Sequence, residues 1–394
     1  MYKDSETRIG INIGKAGKED RGITVYTRNI LKEFGQVGGE YRFVLLHYPG
    51  SKPEDKFGID NSTLEELPFS DKLSSLATIA GEQILNPIQQ KRLGLDVIWH
   101  PHNRGQFIVP IGYVCTMHDI LPITDPELAA KYLNTWQKKA LYSSRTYSAN
   151  NADIIITGSE FSRGEIVDRL GSDPNKVIPI YYGIDRGVFK PNKSETNLGR
   201  IRRVYSLPQR YLLTTGSYAP HKNHQTLVDA YNESSLPEQG VGLVMVGPND
   251  ATGYKIGYEL IREQVKDLGI EDKVRMLPSV PIDDLVAIYN GASIFSSTSL
   301  HEGFGFTPLE AMACEVPVVV SNTSAMPEVC GDAALYASPT NSKEFAEHFS
   351  ILINDEDLRS RLVGRGRLQV HQFNWRATAE KTLEVLEKIA RSRR

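Results

Sequence analysis

Short apolar runs alternate with stretches in which apolar residues recur every three or four positions, and the alternation holds along most of the chain. The short runs, rich in Val, Ile, Leu and Tyr, predict strands over 8–13, 42–47, 97–100, 112–117, 153–157 and 177–180. Periodic stretches between most of them predict helices, notably 25–34, 127–147 and 161–170. A second series of strands follows at 211–215, 242–246, 274–276, 294–297 and 318–321. Between the two series, 191–199 is polar and lacks a period, which reads as a linker. The tail changes character: 341–354, 355–372 and 375–391 are all helical by pattern, with Asn374 as an N-cap. Strands alternating with helices predict an α/β protein with parallel, doubly wound sheets, here two Rossmann-like halves. Ligands of such sheets sit outside the carboxyl ends of the strands, so a site is expected in the cleft between the halves.

Length supports that division, because 394 residues exceed one ordinary core. A formal net charge of −3 gives no sign of a general nucleic-acid binder. Cys115, Cys314 and Cys330 cannot all pair and are not spaced like metal ligands, which fits a reducing, cytoplasmic setting. The charged start, Met1 to Arg8, reads as neither a signal peptide nor an anchor. No apolar run approaches the ~20 residues that span a bilayer.

Chemistry concentrates in 301–313, His-Glu-Gly-Phe-Gly-Phe-Thr-Pro-Leu-Glu-Ala-Met-Ala. Glu302 and Glu310 lie eight positions apart around a glycine-rich turn that follows a strand. Thr307-Pro308-Leu309-Glu310 reads as a capping box with proline at the first helical position. Strand, turn and helix N-terminus converge free N–H groups on one point, a ready anion site. Two acids beside it suit a phosphorylated ligand with many hydroxyls, such as a nucleotide-sugar. Read singly, Glu310 equally closes the capping box and Glu302 is equally a solvated loop acid.

Three other loops follow predicted strands. The first runs from Gly14 to Gly22 at a helix start; it does not spell G-x-G-x-x-G, so a dinucleotide reading is weak. The second holds His118-Asp119 at the end of a buried strand, where a structural histidine is the commoner finding. The third, Gly216 to His224, includes Ser217 and Lys222. A lysine at a helix N-terminus opposes the dipole unless an anion is near, which marks Lys222 as a diphosphate ligand. Ser159 reads mainly as an N-cap, and Asp283-Asp284 as capping rather than part of an Asp-x-Asp metal signature.

The run 301–313 resembles the E-x7-E motif of the retaining glycosyltransferases of family 4, which have the two-domain GT-B fold. Cys314 to Asn322, Met326 to Val329 and Gly331 to Ala334 extend the match. His118-Asp119, Lys222 and the approach Tyr181-Tyr182-Gly183-Ile184-Asp185 are similar to other signatures of that family. Two positions depart from it. Glu315 stands where the family usually has glycine, at a cost of roughly 1 kcal/mol if a left-handed turn persists there. His221 stands where arginine is common.

The resemblance implies an acceptor-side domain of 1–192 completed by a helix at 375–394, and a donor-side domain of 193–374. It implies a nucleotide-sugar substrate, no cofactor and no bound metal. Lys222, with Gly22, Ser217, Gly303, Phe304, Gly305, Phe306, Thr307 and Leu309, would hold the donor. Glu310 would take the ribose hydroxyls, Glu302 the sugar hydroxyls, and His118 would contact the transferred sugar. The closest likeness is to mannosyltransferases that use GDP-mannose, with UDP-sugars an open alternative. The acceptor would be a glycan or a lipid-linked saccharide. Stretch 73–93 is amphipathic and ends near Lys91-Arg92; packing into the core is favoured over peripheral contact with a membrane. Two other classes remain open: a sugar-nucleotide epimerase of the same fold, and a non-catalytic nucleotide-sugar-binding subunit.

Overall fold

The structure is a computed structural model that describes residues 6–14, 22–51, 57–68, 81–103, 106, 108–125, 127, 130, 135–192, 194–248 and 252–393. The chain forms two compact units. Unit 1 comprises Met1–Pro126, Asn134–Gly183 and Asn374–Arg394; unit 2 comprises Glu127–Leu133 and Ile184–Phe373.

Unit 1 is built on a parallel sheet of β1 (Thr7–Gly14), β2 (Tyr41–His47), β3 (Ser62–Glu66), β4 (Val97–His100), β5 (Gly112–Thr116), β6 (Ile154–Thr157) and β7 (Val177–Pro179). Their order is β3-β2-β1-β4-β5-β6-β7. Strands β4, β5 and β6 are buried along their whole length, so they read as continuous apolar runs. Strand β3 was not predicted: Ser-Thr-Leu-Glu-Glu carries one aliphatic residue and lies at the sheet edge.

Helix Gly22–Val37 buries Tyr26, Ile30, Leu31 and Phe34, a spacing of three and four. The helix predicted over 127–147 runs over Thr135–Asn151; residues 128, 129 and 131–134 lie outside the described residues. Ser159 does cap its helix, accepting from the N–H of Ser162 at 3.0 Å. The last helix, Trp375–Ser392, buries Trp375, Ala379, Leu383, Leu386 and Ile389 and packs on helix Gly22–Val37, β4 and β5. Asn374 caps it, accepting from the N–H of Arg376 at 2.8 Å. Gly183 makes this packing close: a Cβ there would lie 2.3 Å from the Trp375 nitrogen.

The amphipathic stretch 73–93 is described only from 81 onward. One π-helical turn, Gly81–Leu85, leads into helix Asn86–Arg92. Its inward face carries Asn86, Pro87 and Gln90, while Ile84, Leu85 and Ile88 stay exposed. Core packing by an apolar face is therefore not what these residues do; Gln90 instead donates to the Gln106 carbonyl Oε1 at 2.8 Å.

Unit 2 repeats the plan with β8 (Arg210–Thr215), β9 (Val241–Val246), β10 (Val274–Leu277), β11 (Ile294–Ser297), β12 (Val318–Ser321) and β13 (Ala334–Ala337), all parallel, in the order β10-β9-β8-β11-β12-β13. Strand β13 was missed because it is short, alanine-rich and at the edge. In the predicted linker a helix forms at Glu195–Val204 and buries Leu198 and Ile201. Asn197, Arg200, Arg202 and Arg203 mask that short period in the sequence. Asp284 caps nothing. It accepts from Arg200 and from the Tyr205 hydroxyl, tying this helix to the first turn of Ile282–Gly291.

Candidate functional site

Strand order reverses between β8 and β11, so the loops leaving their carboxyl ends face each other across a crevice, where ligands of such sheets collect. The loop after β8 passes through a 3-10 turn, Pro220–Lys222, and reaches Asn223 with φ of 53°. The Asn223 amide donates to the carbonyls of Thr298, at 3.2 Å, and Pro339, at 2.6 Å. The Leu300 N–H donates to the His221 carbonyl at 2.7 Å, and the Thr298 hydroxyl to the Asn223 carbonyl at 2.9 Å. These bonds zip the two loops together and bring Lys222 and Glu302, eighty positions apart, into one ion pair of 2.5 Å. Sequence reading named both residues but not their pairing. Asn223, which makes the pairing possible, was not singled out.

Glu302 is held from several directions. The Ser299 hydroxyl donates to its Oε1 at 2.7 Å, and its own N–H donates to the Ser324 hydroxyl oxygen at 3.1 Å. Burial pushes its carboxyl up, but Lys222, His221 and the Ser299 bond outweigh burial and hold it below the usual range. Glu302 is therefore an anion whose partner is a cation suited to phosphate. His224, two positions after Lys222, is buried, and its Nε2 donates to the Ser217 carbonyl at 3.1 Å, which fixes the start of the loop. Burial pushes the His224 imidazole down to about 4, so it is neutral at pH 7.

After Glu302 the chain crosses Gly303 and Phe304 and enters helix Phe306–Ala313. Phe304 is buried against Phe306 and Phe373, so its backbone alone is available to a ligand. The same holds for the buried Leu309. The helix starts two residues earlier than the capping box requires. Gly305, with φ of 112°, is the N-cap, and no side chain caps the helix. Thr307 sits inside the first turn and Glu310 cannot reach back to close a box. The left-handed entry at Gly305 turns the chain sharply enough that Phe306 is already helical. What remains is a helix N-terminus with no side-chain cap hydrogen bond, four residues after the Glu302 of the Lys222–Glu302 pair.

Glu310 has a different partner: its Oε2 accepts from the Tyr289 hydroxyl at 2.7 Å. Burial raises its carboxyl to about 7, although the Tyr289 bond and Lys222 pull the other way. Glu315, just past the helix, has φ of 59°. Its N–H donates to the Met312 carbonyl and the Val316 N–H to that of Ala311, a Schellman ending. The left-handed turn thus persists with glutamate in it, and Arg367 pairs with the carboxylate at 2.7 Å.

The remaining predicted residues belong to unit 1. Gly22 opens its helix and faces open space, with no atom within 4 Å of a Cβ placed there, so no packing within the described chain demands glycine. His118 follows β5, and its ring is fully engaged: Nε2 donates to the Pro101 carbonyl at 3.1 Å and Nδ1 accepts from the Tyr182 hydroxyl at 2.7 Å. Tyr26 packs edge-on to it with ring centroids 4.8 Å apart. Burial pushes the imidazole down, so His118 is a neutral, fixed ring rather than a free base. Asp119 lies 3.5 Å from Arg145 and within 3.4 Å of the Leu121 N–H. Among the described residues no group of three or more His, Cys, Asp or Glu is arranged to hold a metal ion.

Comparison with known proteins bears on this geometry. Residues 21–187 match the domain described as Glycosyltransferase Family 4, and residues 200–369 the domain described as Glycosyl transferases group 1. The O-antigen chain mannosyltransferase B of Escherichia coli is 31% identical over 294 residues, which cover 74% of each chain. The serotype-specific mannosyltransferase WbdA of Escherichia coli is 26% identical over 72% of this chain, a match that spans 34% of that longer protein. Sucrose-phosphate synthase from Thermosynechococcus elongatus superposes with a TM-score of 0.79 at 17% identity, covering 98% of this chain and all 100% of that one. Anabaena Alr3699/HepE, solved in complex with UDP-glucose, gives 0.75 at 18% identity over 97% and 99% of the two chains. At these identities the structural likeness speaks to the fold alone. With both of its domains matched, a relative 31% identical over 74% of each chain, and a parallel sheet in each unit, the chain belongs to the glycosyltransferases of family 4, has the GT-B fold, and counts mannosyltransferases among its homologues.

Proposed function

We propose that the protein moves a hexosyl group, mannose in the reading we favour, from a nucleoside-diphosphate sugar to a glycan or lipid-linked saccharide with retention of configuration. The observation that carries this reading is the Lys222–Glu302 ion pair, followed four residues after Glu302 by the N-terminus of helix Phe306–Ala313, which no side chain caps. As the donor's bond from the anomeric carbon to the phosphate oxygen breaks, negative charge builds on the diphosphate. Lys222 and the helix N–H groups meet that charge from fixed positions, so no metal is required in this account. The acceptor hydroxyl attacks from the face the diphosphate leaves, and a departing phosphate oxygen takes its proton. Glu302 orients sugar hydroxyls and Glu310 accepts from the ribose. His118, neutral and with both ring nitrogens already engaged, contacts the transferred sugar through the carbon edge of its ring and transfers no proton. Mannose as the sugar is supported by the homologues named mannosyltransferases; GDP over UDP as the carrier rests on the sequence resemblance to mannosyltransferases that use GDP-mannose. Exposed Ile84, Leu85 and Ile88 beside Lys91 and Arg92 support peripheral contact with a membrane that carries a lipid-linked acceptor.

A thermal-shift comparison of GDP, UDP and ADP tests the donor. GDP is expected to raise the melting temperature most. A larger shift with UDP moves the carrier to uridine, and no shift with any of the three removes the nucleotide-sugar reading.

A further inference from the structure

Tyr289 has no part in the motifs read from sequence, yet its hydroxyl sits where the nucleotide reading needs order. Its side chain is fully buried between Phe189 and Phe295, with ring centroids 5.9 Å and 5.8 Å away. Three acceptors lie around the hydroxyl: Glu310 Oε2 at 2.7 Å, Thr215 Oγ1 at 2.6 Å and the Thr307 carbonyl at 3.5 Å. One proton serves only one of them. The carboxylate takes it, being charged and close, while the Thr307 carbonyl is too far for a strong bond. The Thr215 hydroxyl then donates to the Tyr289 oxygen. The order is Thr215 to Tyr289 to Glu310, from the end of β8, through helix Ile282–Gly291, to helix Phe306–Ala313. Tyr289 occupies Oε2 of Glu310, and Oε1 takes no hydrogen bond from any described residue.

We infer that Tyr289 is a positioning residue for nucleotide recognition: it locks one oxygen of Glu310 and so aims the other at the ribose diol of the donor. This rests on the reading of Glu310 as the ribose ligand. A carboxylate free to rotate would lose rotamer entropy on binding; one already fixed does not. The ring packing explains why a tyrosine is buried here, and the hydroxyl is what the inference assigns to recognition.

The test is Tyr289→Phe, which keeps the ring and removes the hydroxyl. Whichever of GDP and UDP the wild type binds more tightly is titrated by calorimetry beside its 2′,3′-dideoxy counterpart. Wild type is expected to prefer the ribonucleotide by about tenfold or more. The variant is expected to lose most of that preference by weakening the ribonucleotide alone, with dideoxynucleotide affinity unchanged. If wild type shows no preference, the Glu310 reading fails. If wild type prefers ribose and the variant prefers it equally, that reading survives and the positioning role is overturned. Should Tyr289→Phe not fold, Thr215→Val removes the upstream donor. A partial loss of preference supports the relay, and an intact one contradicts it.

Discussion

Lys222 shows how a residue's role depends on its partner. Its side chain is 18% exposed and that of Glu302 14%, so the pair is largely shielded from water. Lys222→Ala would leave the Glu302 anion without its counter-charge, which destabilises a protein by up to about 3–5 kcal/mol when fully buried and by less here. We therefore expect a lower melting temperature as well as a fall in kcat of about a hundredfold at saturating donor. Combining Lys222→Met with Glu302→Gln should restore the melting temperature but not the turnover. Turnover that survives Lys222→Ala would remove Lys222 from the leaving-group role. Glu310 adds a pH dependence. Its carboxyl titrates near 7, and only the anion accepts strongly from ribose. Binding then favours the deprotonated form, so nucleotide affinity should be flat above pH 7 and fall below it, by about tenfold per unit well below the midpoint. Glu310→Gln should flatten that profile. Each of these residues was singled out in the sequence because two acids around a glycine-rich turn and a lysine at a helix N-terminus together suit a phosphorylated ligand, although each acid alone has a structural reading. Their partners were not legible, because Tyr289 and Asn223 are ordinary residues whose contacts arise only once the loops fold together.

Helix Phe306–Ala313 shows what local sequence rules leave open. Thr-Pro-Leu-Glu satisfies the capping-box pattern, yet Gly305 starts the helix earlier and leaves Glu310 for Tyr289. A pattern of four residues cannot register the left-handed residue before it. The other end was readable. Glu315 was expected to be strained if the turn persisted, and its φ of 59° is the strained value. Glu315→Gly should relieve a left-handed cost of about 1 kcal/mol against the loss of a largely solvent-screened pair with the exposed Arg367. A net gain of up to about 1 kcal/mol is expected in urea unfolding; a loss would mean that the Arg367 pair outweighs the backbone strain. Edge strands β3 and β13 and helix Glu195–Val204 escaped sequence reading for a common reason. Each buries only one or two residues completely, too few to leave a recognisable period in the sequence.

At the scale of the whole molecule the repeated alternation carried the architecture. Fully buried parallel strands leave long apolar runs, and two such series give two sheets, each with a reversal in strand order. What periodicity does not encode is which sugar, which base and which acceptor, because these depend on a few loop atoms. No helix among the described residues is long and apolar enough to cross a membrane. The central claim is retaining transfer driven by fixed protein charge, and the anomeric configuration of the product tests it most directly. With α-linked GDP-mannose as donor, proton NMR of the anomeric signal should report an α-linked product, formed equally well in excess EDTA. A β-linked product would contradict the retaining mechanism. Activity that disappears with the chelator would show that a metal, not Lys222 and the helix end at Phe306, neutralises the leaving diphosphate.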